Sequence, residues 1–204
     1  MNTQKYIGLK KRLKILRKIY LPHSFSPTGS YKDSQYEKVR AYEVLAHAEM
    51  EYYFEESALS IAQKAYNKWK TKRKASIPLI AMVVYYSGKY PSTPETHTGN
   101  FSQENIDHRI EEAYKDYNYR KSNNHGIKEK NILSLFLPIG IQLDNIDTDM
   151  LIALSNFGRE RGSIAHSTRA TTVLSPDDAL RAVTELMTYI DSFDQLLSEF
   201  KKAI

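Results

Sequence analysis

The chain has 204 residues, of which 41% are hydrophobic, and it carries 29 Lys and Arg against 24 Asp and Glu. This length and composition are typical of one or two folded domains with a substantial core. The net charge of +5 permits nucleic-acid binding without proving it, and the lack of cysteine excludes disulfides and thiolate zinc sites.

The N-terminal segment is predicted to form a basic amphipathic helix over residues 3–20. Its apolar residues recur at spacings of three and four, and lysines and arginines cover the other side. Prolines and serines mark a loop over 22–29. We therefore predict two parts: a basic N-terminal helix and loop (1–30) and a helical domain (31–204).

The middle of the chain is predicted to contain three helices. A long one covers residues 34–74 and ends in the basic run Lys72, Arg73 and Lys74, and a short buried one covers 77–87. The apolar run in that second helix is too short to span a bilayer. Gly and Pro residues then indicate an exposed loop over 87–99, before a Tyr-rich helix over 105–120.

The C-terminal third is also predicted to be helical. A turn at 122–126 precedes a helix over 127–137, and a further helix over 147–160 starts from a cap at Asp147 or Thr148. Ser175 and Pro176 then begin a last helix that reaches about Phe200. No period-two alternation indicates strands, so we expect an all-α bundle.

Arg161 and His166 form an Arg-x4-His pair. Arginine is permanently cationic and matches phosphate oxygens, and histidine exchanges protons near neutral pH. RNA supplies its own nucleophile, the 2′-hydroxyl, so these two side chains suffice in principle for metal-free RNA cleavage. A solvated Arg and a His buried in a bundle explain the same spacing.

The spacing of the pair raises a geometric problem. On an ideal helix, positions five apart differ by about 140° around the axis, so one helix does not aim both side chains at one atom. Either the segment departs from an ideal helix, which Gly162 would favour, or a second copy of the chain completes the site.

Four ordered segments resemble the HEPN superfamily, and most closely its RiboL-PSP-HEPN branch. They are Asn124-His125-Gly126-Ile127, Asn131-Ile132-Leu133, Pro138-Ile139-Gly140-Ile141 and the stretch from Phe157 to His166. The segment from Ala46 to Phe54 is similar to the family's second core helix. The resemblance covers residues 36–200 and is most specific over 123–167.

This resemblance implies a helical bundle with long antiparallel helices and a ribonuclease site. His166 would be the general acid or base, Arg161 would hold the scissile phosphate, and Glu51, ahead of Glu49, would orient them. Two protomers would meet in a homodimer with a composite cleft, leaving a 2′,3′-cyclic phosphate on the RNA. Ser163 would replace the polar residue that many relatives carry at the position of Gly162.

Further residues are candidates for RNA contact. Arg159 and the basic run 72–74 offer charges to the RNA backbone, although solvated helix faces explain them as well. The tyrosines of residues 114–120 are able to stack on bases, and core packing explains them equally well. The six histidines show no metal-ligand spacing, so we expect neither a metal nor a cofactor.

Three hypotheses follow from these patterns. The first is a cytoplasmic endoribonuclease of the toxin or defence type, acting on RNA without a membrane and with an antitoxin or defence protein as a further partner. The second is a catalytically inactive HEPN-like module that binds RNA or protein and dimerises. Gly162 supports this hypothesis, because it has no side chain at the position directly after Arg161. The third, a small-molecule binder, lacks a phosphate-binding loop.

Overall fold

The computed structural model describes residues 2–86, 106–166 and 174–204, with side chains described outside 160–166. These ranges hold seven α-helices and two short 3₁₀ turns, at Leu137–Ile139 and Leu143–Asn145, and no strand. The predicted all-α fold is confirmed. The helices are α1 (Gln4–Tyr20), α2 (Asp33–Lys72), α3 (Ile77–Tyr86), α4 (Ile106–Ser122), α5 (Glu129–Phe136), α6 (Thr148–His166) and α7 (Pro176–Lys202).

Side-chain contacts between α1, α2 and α7 show how these three helices are oriented. Helix α1 is antiparallel to α2, because Lys5 pairs with Glu56 while Arg12 pairs with Glu49. Helix α7 follows the direction of α2, because Tyr53 contacts Asp194 and Ser60 contacts Lys201. The predicted antiparallel packing of long helices therefore holds for α1 against both α2 and α7.

An aromatic cluster joins three of these helices in the core. Phe54 of α2, Phe136 of α5 and Phe193 of α7 are all almost fully buried. Their ring centroids lie 4.9–6.3 Å apart in edge-on or tilted arrangements, which suit the charge distribution of aromatic rings. This cluster fixes α5 against the long helices and so positions the turn that precedes it.

Capping residues account for the predicted helix starts. The Ser175 hydroxyl accepts a hydrogen bond from the Asp178 amide at the start of α7, with Pro176 in the first position. Asp147 accepts one from the Asp149 amide at the start of α6. Both side chains satisfy amides that have no partner inside the helix, so these starts were readable from the sequence.

Two predicted elements need correction. The short buried helix is only partly buried: α3 buries Leu79 and Met82 but exposes 64% of Ile77 and 69% of Val84. The apolar run of α3 therefore led to a prediction of too much burial, because only one face of this helix contacts the core. The predicted 147–160 helix does not end before the motif but continues as α6 to His166. The predicted 87–99 loop lies outside the described residues.

Within the described ranges, no helix combines the length and the apolar content that crossing a membrane requires.

Helix α1 packs on α2 through its apolar stripe, with Tyr6, Leu9, Leu13 and Leu16 buried. The proposed division of the chain between residues 30 and 31 stays a prediction.

Candidate functional site

Helix α6 is anchored to the core just before the Arg-x4-His motif begins. The Phe157 ring is 4% exposed and faces the His47 ring of α2, with centroids 6.3 Å apart and planes within 24°. At Gly158, an added Cβ would lie 3.2 Å from Lys128 Cγ and 3.6 Å from His47 Nε2. The close approach of α6 to α2 and to residues 127–128 therefore depends on a small residue at 158.

On α2, Glu51 lies one helical turn after His47. His47 is 2% exposed, and its Nδ1 is 3.6 Å from Glu51 Oε2. The other carboxylate oxygen, Oε1, accepts a hydrogen bond from the Gly126 amide at 2.5 Å. The predicted shared face of His47 and Glu51 is confirmed, and Glu51 links α2 to the turn before α5.

That turn depends on Gly126 and two asparagines. Gly126 has a φ of +122°, which residues with a Cβ rarely adopt. Asn124 Nδ2 donates to Glu55 Oε1 at 2.9 Å and to the Gly126 carbonyl at 3.2 Å, while Asn124 Oδ1 accepts from Asn131 Nδ2 at 3.1 Å. Hydrogen bonds therefore join segments 124–127 and 131–133, the first two of the four segments that resemble the HEPN superfamily.

An ion-pair group lies beside the asparagines. Lys121, at the end of α4, lies 3.2 Å from Glu56 and 3.9 Å from Glu55, and Lys5 approaches Glu56 from α1. Burial raises the pKa of the Glu56 carboxyl, but Lys121 and Lys5 together outweigh it and the net pKa is lowered. Glu56 therefore stays ionised and ties α1 and α4 to α2.

The motif lies on the last turns of α6. The backbone is α-helical through Gly162 to His166, so the alternative of a segment that departs from the helix is wrong. Position 161 stands one turn after Phe157, and position 166 is about 140° further round the axis. The side chains of Arg161, Ser163 and His166 lie outside the described residues.

The other predicted site residues occupy different places. Arg159 is exposed on α6, and Glu49 pairs with Arg12 at 2.8 Å instead of joining the His47 group. The basic run 72–74 is exposed at the end of α2, where Arg73 pairs with Asp107. It lies about 30 Å along the helix from Glu51, so the structure does not bring these two sets together.

Sequence reasoning missed a cavity of about 580 Å³ between α4 and α5, next to the Asn124 turn. Its lining includes Tyr119, Arg120 and Lys130. The Tyr-rich stretch of α4 was the sequence feature that pointed to this cavity. Of its residues, Tyr117 is fully buried whereas Tyr119 is 74% exposed, so core packing explains one tyrosine and not the other.

A family model described as RiboL-PSP-HEPN matches residues 8–199, which is nearly the whole chain. No curated protein and no solved structure matches it.

Proposed function

The chain belongs to the RiboL-PSP-HEPN family, and from this premise we propose that it is a metal-independent endoribonuclease. The family indicates a ribonuclease-type or HEPN-like function in general. The Arg-x4-His pair on α6 narrows this to cleavage of RNA, because it combines a phosphate-binding cation with a group that exchanges protons.

In the proposed reaction, the RNA 2′-hydroxyl attacks the adjacent phosphorus. His166 removes the proton from that hydroxyl or delivers one to the departing 5′-oxygen, and the P–O5′ bond breaks. Arg161 binds the phosphate and stabilises the negative charge that grows on it. The products are a 2′,3′-cyclic phosphate and a 5′-hydroxyl, and no metal takes part.

The continuous helix through Gly162 is the observation that carries the proposal of a composite site. Because positions 161 and 166 differ by about 140° around one helix, a single α6 does not aim both at one phosphate. A two-fold related copy resolves this, since Arg161 of one protomer then works with His166 of the other. We therefore propose a homodimer that joins the C-terminal turns of two α6 helices.

Glu51 is a positioning residue in this proposal. It acts through His47, whose ring faces Phe157 and lies against Gly158, and so it sets the position of α6 against α2. A displacement of reacting groups by about 1 Å costs up to about 100-fold in rate. Arg159 and Ser163, which lie on α6 with Arg161 and His166, would bind the RNA backbone near the cleaved bond. The basic run 72–74 would contact the RNA backbone farther along the strand, about 30 Å from Glu51.

The test is RNA cleavage in EDTA by the purified protein and by Arg161→Ala and His166→Ala variants. We expect products with cyclic-phosphate ends from the wild type and a loss of at least about 100-fold in each variant. Arg181→Ala and His23→Ala, at exposed positions on α7 and in the loop after α1, are matched controls that should cleave normally. Equal cleavage by all variants would remove the motif from the mechanism.

Mixing the two inactive variants tests the composite site. If the pair acts across the interface, half of the dimers are mixed and each holds one intact site, so about a quarter of the activity returns. If the pair acts within one protomer, the mixture stays inactive. Expression toxicity relieved by His166→Ala would support a toxin or defence role.

The alternative is a non-catalytic HEPN-like module that binds RNA or protein. Gly162 favours it, because many active relatives carry a polar side chain directly after the arginine. RNA binding without cyclic-phosphate products in any RNA tested would select this alternative.

A further inference from the structure

The cavity between α4 and α5 has the size and chemistry of a small-ligand site. Its volume of about 580 Å³ lies within the range of natural ligand pockets. The walls are the end of α4, the start of α5 and the last residue of α3, and the floor is the Asn124–Asn131 pair. Hydrogen bonds from Asn124 to Glu55 and Gly126 hold that floor in place, so the cavity is formed before any ligand enters.

Two cations and two tyrosines surround this cavity. Arg120 and Lys130 are both exposed at its walls and outnumber the one carboxylate, Asp116. Tyr119 exposes 74% of its surface at the same place, which gives a free aromatic face for stacking. Phosphate oxygens pair with such cations, and every nucleobase stacks on such a ring.

Tyr86, the last residue of α3, also lines the cavity. Burial raises the pKa of its hydroxyl, and the charge of the nearby Arg120 guanidinium opposes that rise. The phenol of Tyr86 therefore lies beside the Arg120 guanidinium at the cavity wall.

We propose that this cavity binds one ribonucleotide, with the base stacked on Tyr119, the phosphate held by Arg120 and Lys130, and a ribose hydroxyl donating to Asp116. Carboxylates bind ribose hydroxyls in this way in other nucleotide sites. The cavity floor shares the Gly126 turn with Glu51, and Glu51 faces His47, which lies against Gly158 of α6 just before the Arg-x4-His motif. A nucleotide bound there belongs to the RNA strand that reaches Arg161 and His166, and this last step rests on the proposed function.

The binding test uses isothermal titration calorimetry on the full chain. The ligands are AMP, GMP, CMP and UMP, a single-stranded RNA hexamer and the DNA hexamer of the same sequence. The RNA arm uses His166→Ala so that the strand stays intact. We expect Tyr119→Ala and Arg120→Ala each to weaken RNA binding by about tenfold, while the exposed controls Tyr52→Ala and Arg181→Ala leave it unchanged.

The outcomes separate two sources of the nucleotide. Mononucleotide binding as tight as RNA binding would identify a free nucleotide as the ligand, and tighter RNA binding would identify a substrate strand. Unchanged affinity in both Tyr119→Ala and Arg120→Ala would overturn the site. DNA bound as tightly as RNA by the His166→Ala protein would overturn the role of Asp116.

Cleavage assays separate this inference from the proposed function. If the wild type cleaves RNA and the two cavity variants keep its KM, the inference fails and the function stands. If the cavity binds nucleotides but no RNA is cleaved, the function fails and the nucleotide site stands. Circular dichroism confirms that each variant is folded before its affinity is compared.

Discussion

Asp194 on α7 and Glu51 on α2 are both carboxylates that link distant segments, but their surroundings differ. Asp194 is fully buried and accepts three hydrogen bonds: from the Tyr53 hydroxyl, the Thr3 hydroxyl and the Thr3 amide. The side chain of Glu51 is 21% exposed, with one oxygen on the Gly126 amide and the other facing His47. Neutral donors surround the first carboxylate, whereas the second faces an imidazole ring that packs on Phe157, four residues before position 161.

The pKa of Tyr53 supports this distinction. Burial, followed by the charge of Asp194, raises the pKa of the Tyr53 hydroxyl far above its usual value. The phenol therefore stays protonated and serves as a permanent donor at the Asp194 end of the bundle. We expect mutations at that end to change the free energy of unfolding, and mutations at the Glu51 end to change RNA cleavage.

The largest expected effect is that of Asp194→Ala. It leaves the buried Tyr53 hydroxyl and two Thr3 donors without their acceptor, so we expect a loss of about 3 kcal/mol or more in unfolding free energy. Urea unfolding measures it, with the exposed Glu199→Ala as control. RNA cleavage per folded molecule should stay within about twofold of wild type if α6 is positioned independently. A large loss of RNA cleavage in Asp194→Ala would contradict the expectation that mutations at the Asp194 end affect stability alone.

The next largest effect is that of Glu51→Gln on RNA cleavage. The glutamine oxygen still accepts from the Gly126 amide, but the negative charge facing His47 is lost, so we expect up to about 100-fold slower cleavage. The unfolding free energy should change by less than about 1 kcal/mol. Glu49→Gln, which faces Arg12 instead, should cleave normally. A Glu51→Gln enzyme of full activity would make Glu51 purely structural.

Paired glycine substitutions give opposite signs. Gly126→Ala forces a Cβ onto a φ of +122°, and we expect a loss of about 1–3 kcal/mol in unfolding free energy. Gly8→Ala lies in α1, where the added Cβ would meet no atom within 4 Å other than the adjacent residues and its own helix backbone, so helix propensity should stabilise the fold by about 0.5–1 kcal/mol. Thermal unfolding of both variants checks the signs. Equal shifts in both would mean that the backbone at Gly126 relaxes freely.

The smallest effect is a change in acid sensitivity at Glu56. Because the folded-state pKa of this carboxyl is lowered, its stabilising contribution is present above the unfolded-state pKa and is lost as pH falls through the folded value. Glu56→Gln should therefore lose less unfolding free energy than wild type between pH 6 and about pH 3. Glu37→Gln, at a more exposed position, serves as control. Identical pH profiles for wild type and Glu56→Gln would contradict the shift.

Sequence reasoning predicted most helices because their signals are local. The stripe of Tyr6, Leu9 and Leu13 indicated α1, and the Ser175-Pro176 start indicated α7. It placed the end of the 147–160 helix too early, because Gly162 suggested a break. Glycine costs about 1 kcal/mol inside a helix, which is too little by itself to end one.

The candidate site was only partly predictable. The i, i+4 spacing placed His47 and Glu51 on one face, as the structure confirms. No local pattern indicated that Glu51 binds the Gly126 amide across 75 positions of the chain, or that Gly158 lies against His47. Such contacts depend on how α2, the turn and α6 pack, and that packing has no period along the sequence.

The sequence by itself determined the helical class, the capped starts of α6 and α7 and the family, because apolar periodicity, capping residues and motif order are properties of short segments. Only the tertiary structure decided that α7 runs alongside α2, that one face of α3 is exposed, and that Asp194 and Glu51 have different surroundings. The physical reason is that burial and hydrogen bonding between distant residues arise when helices pack, and the same helical pattern is compatible with many packings.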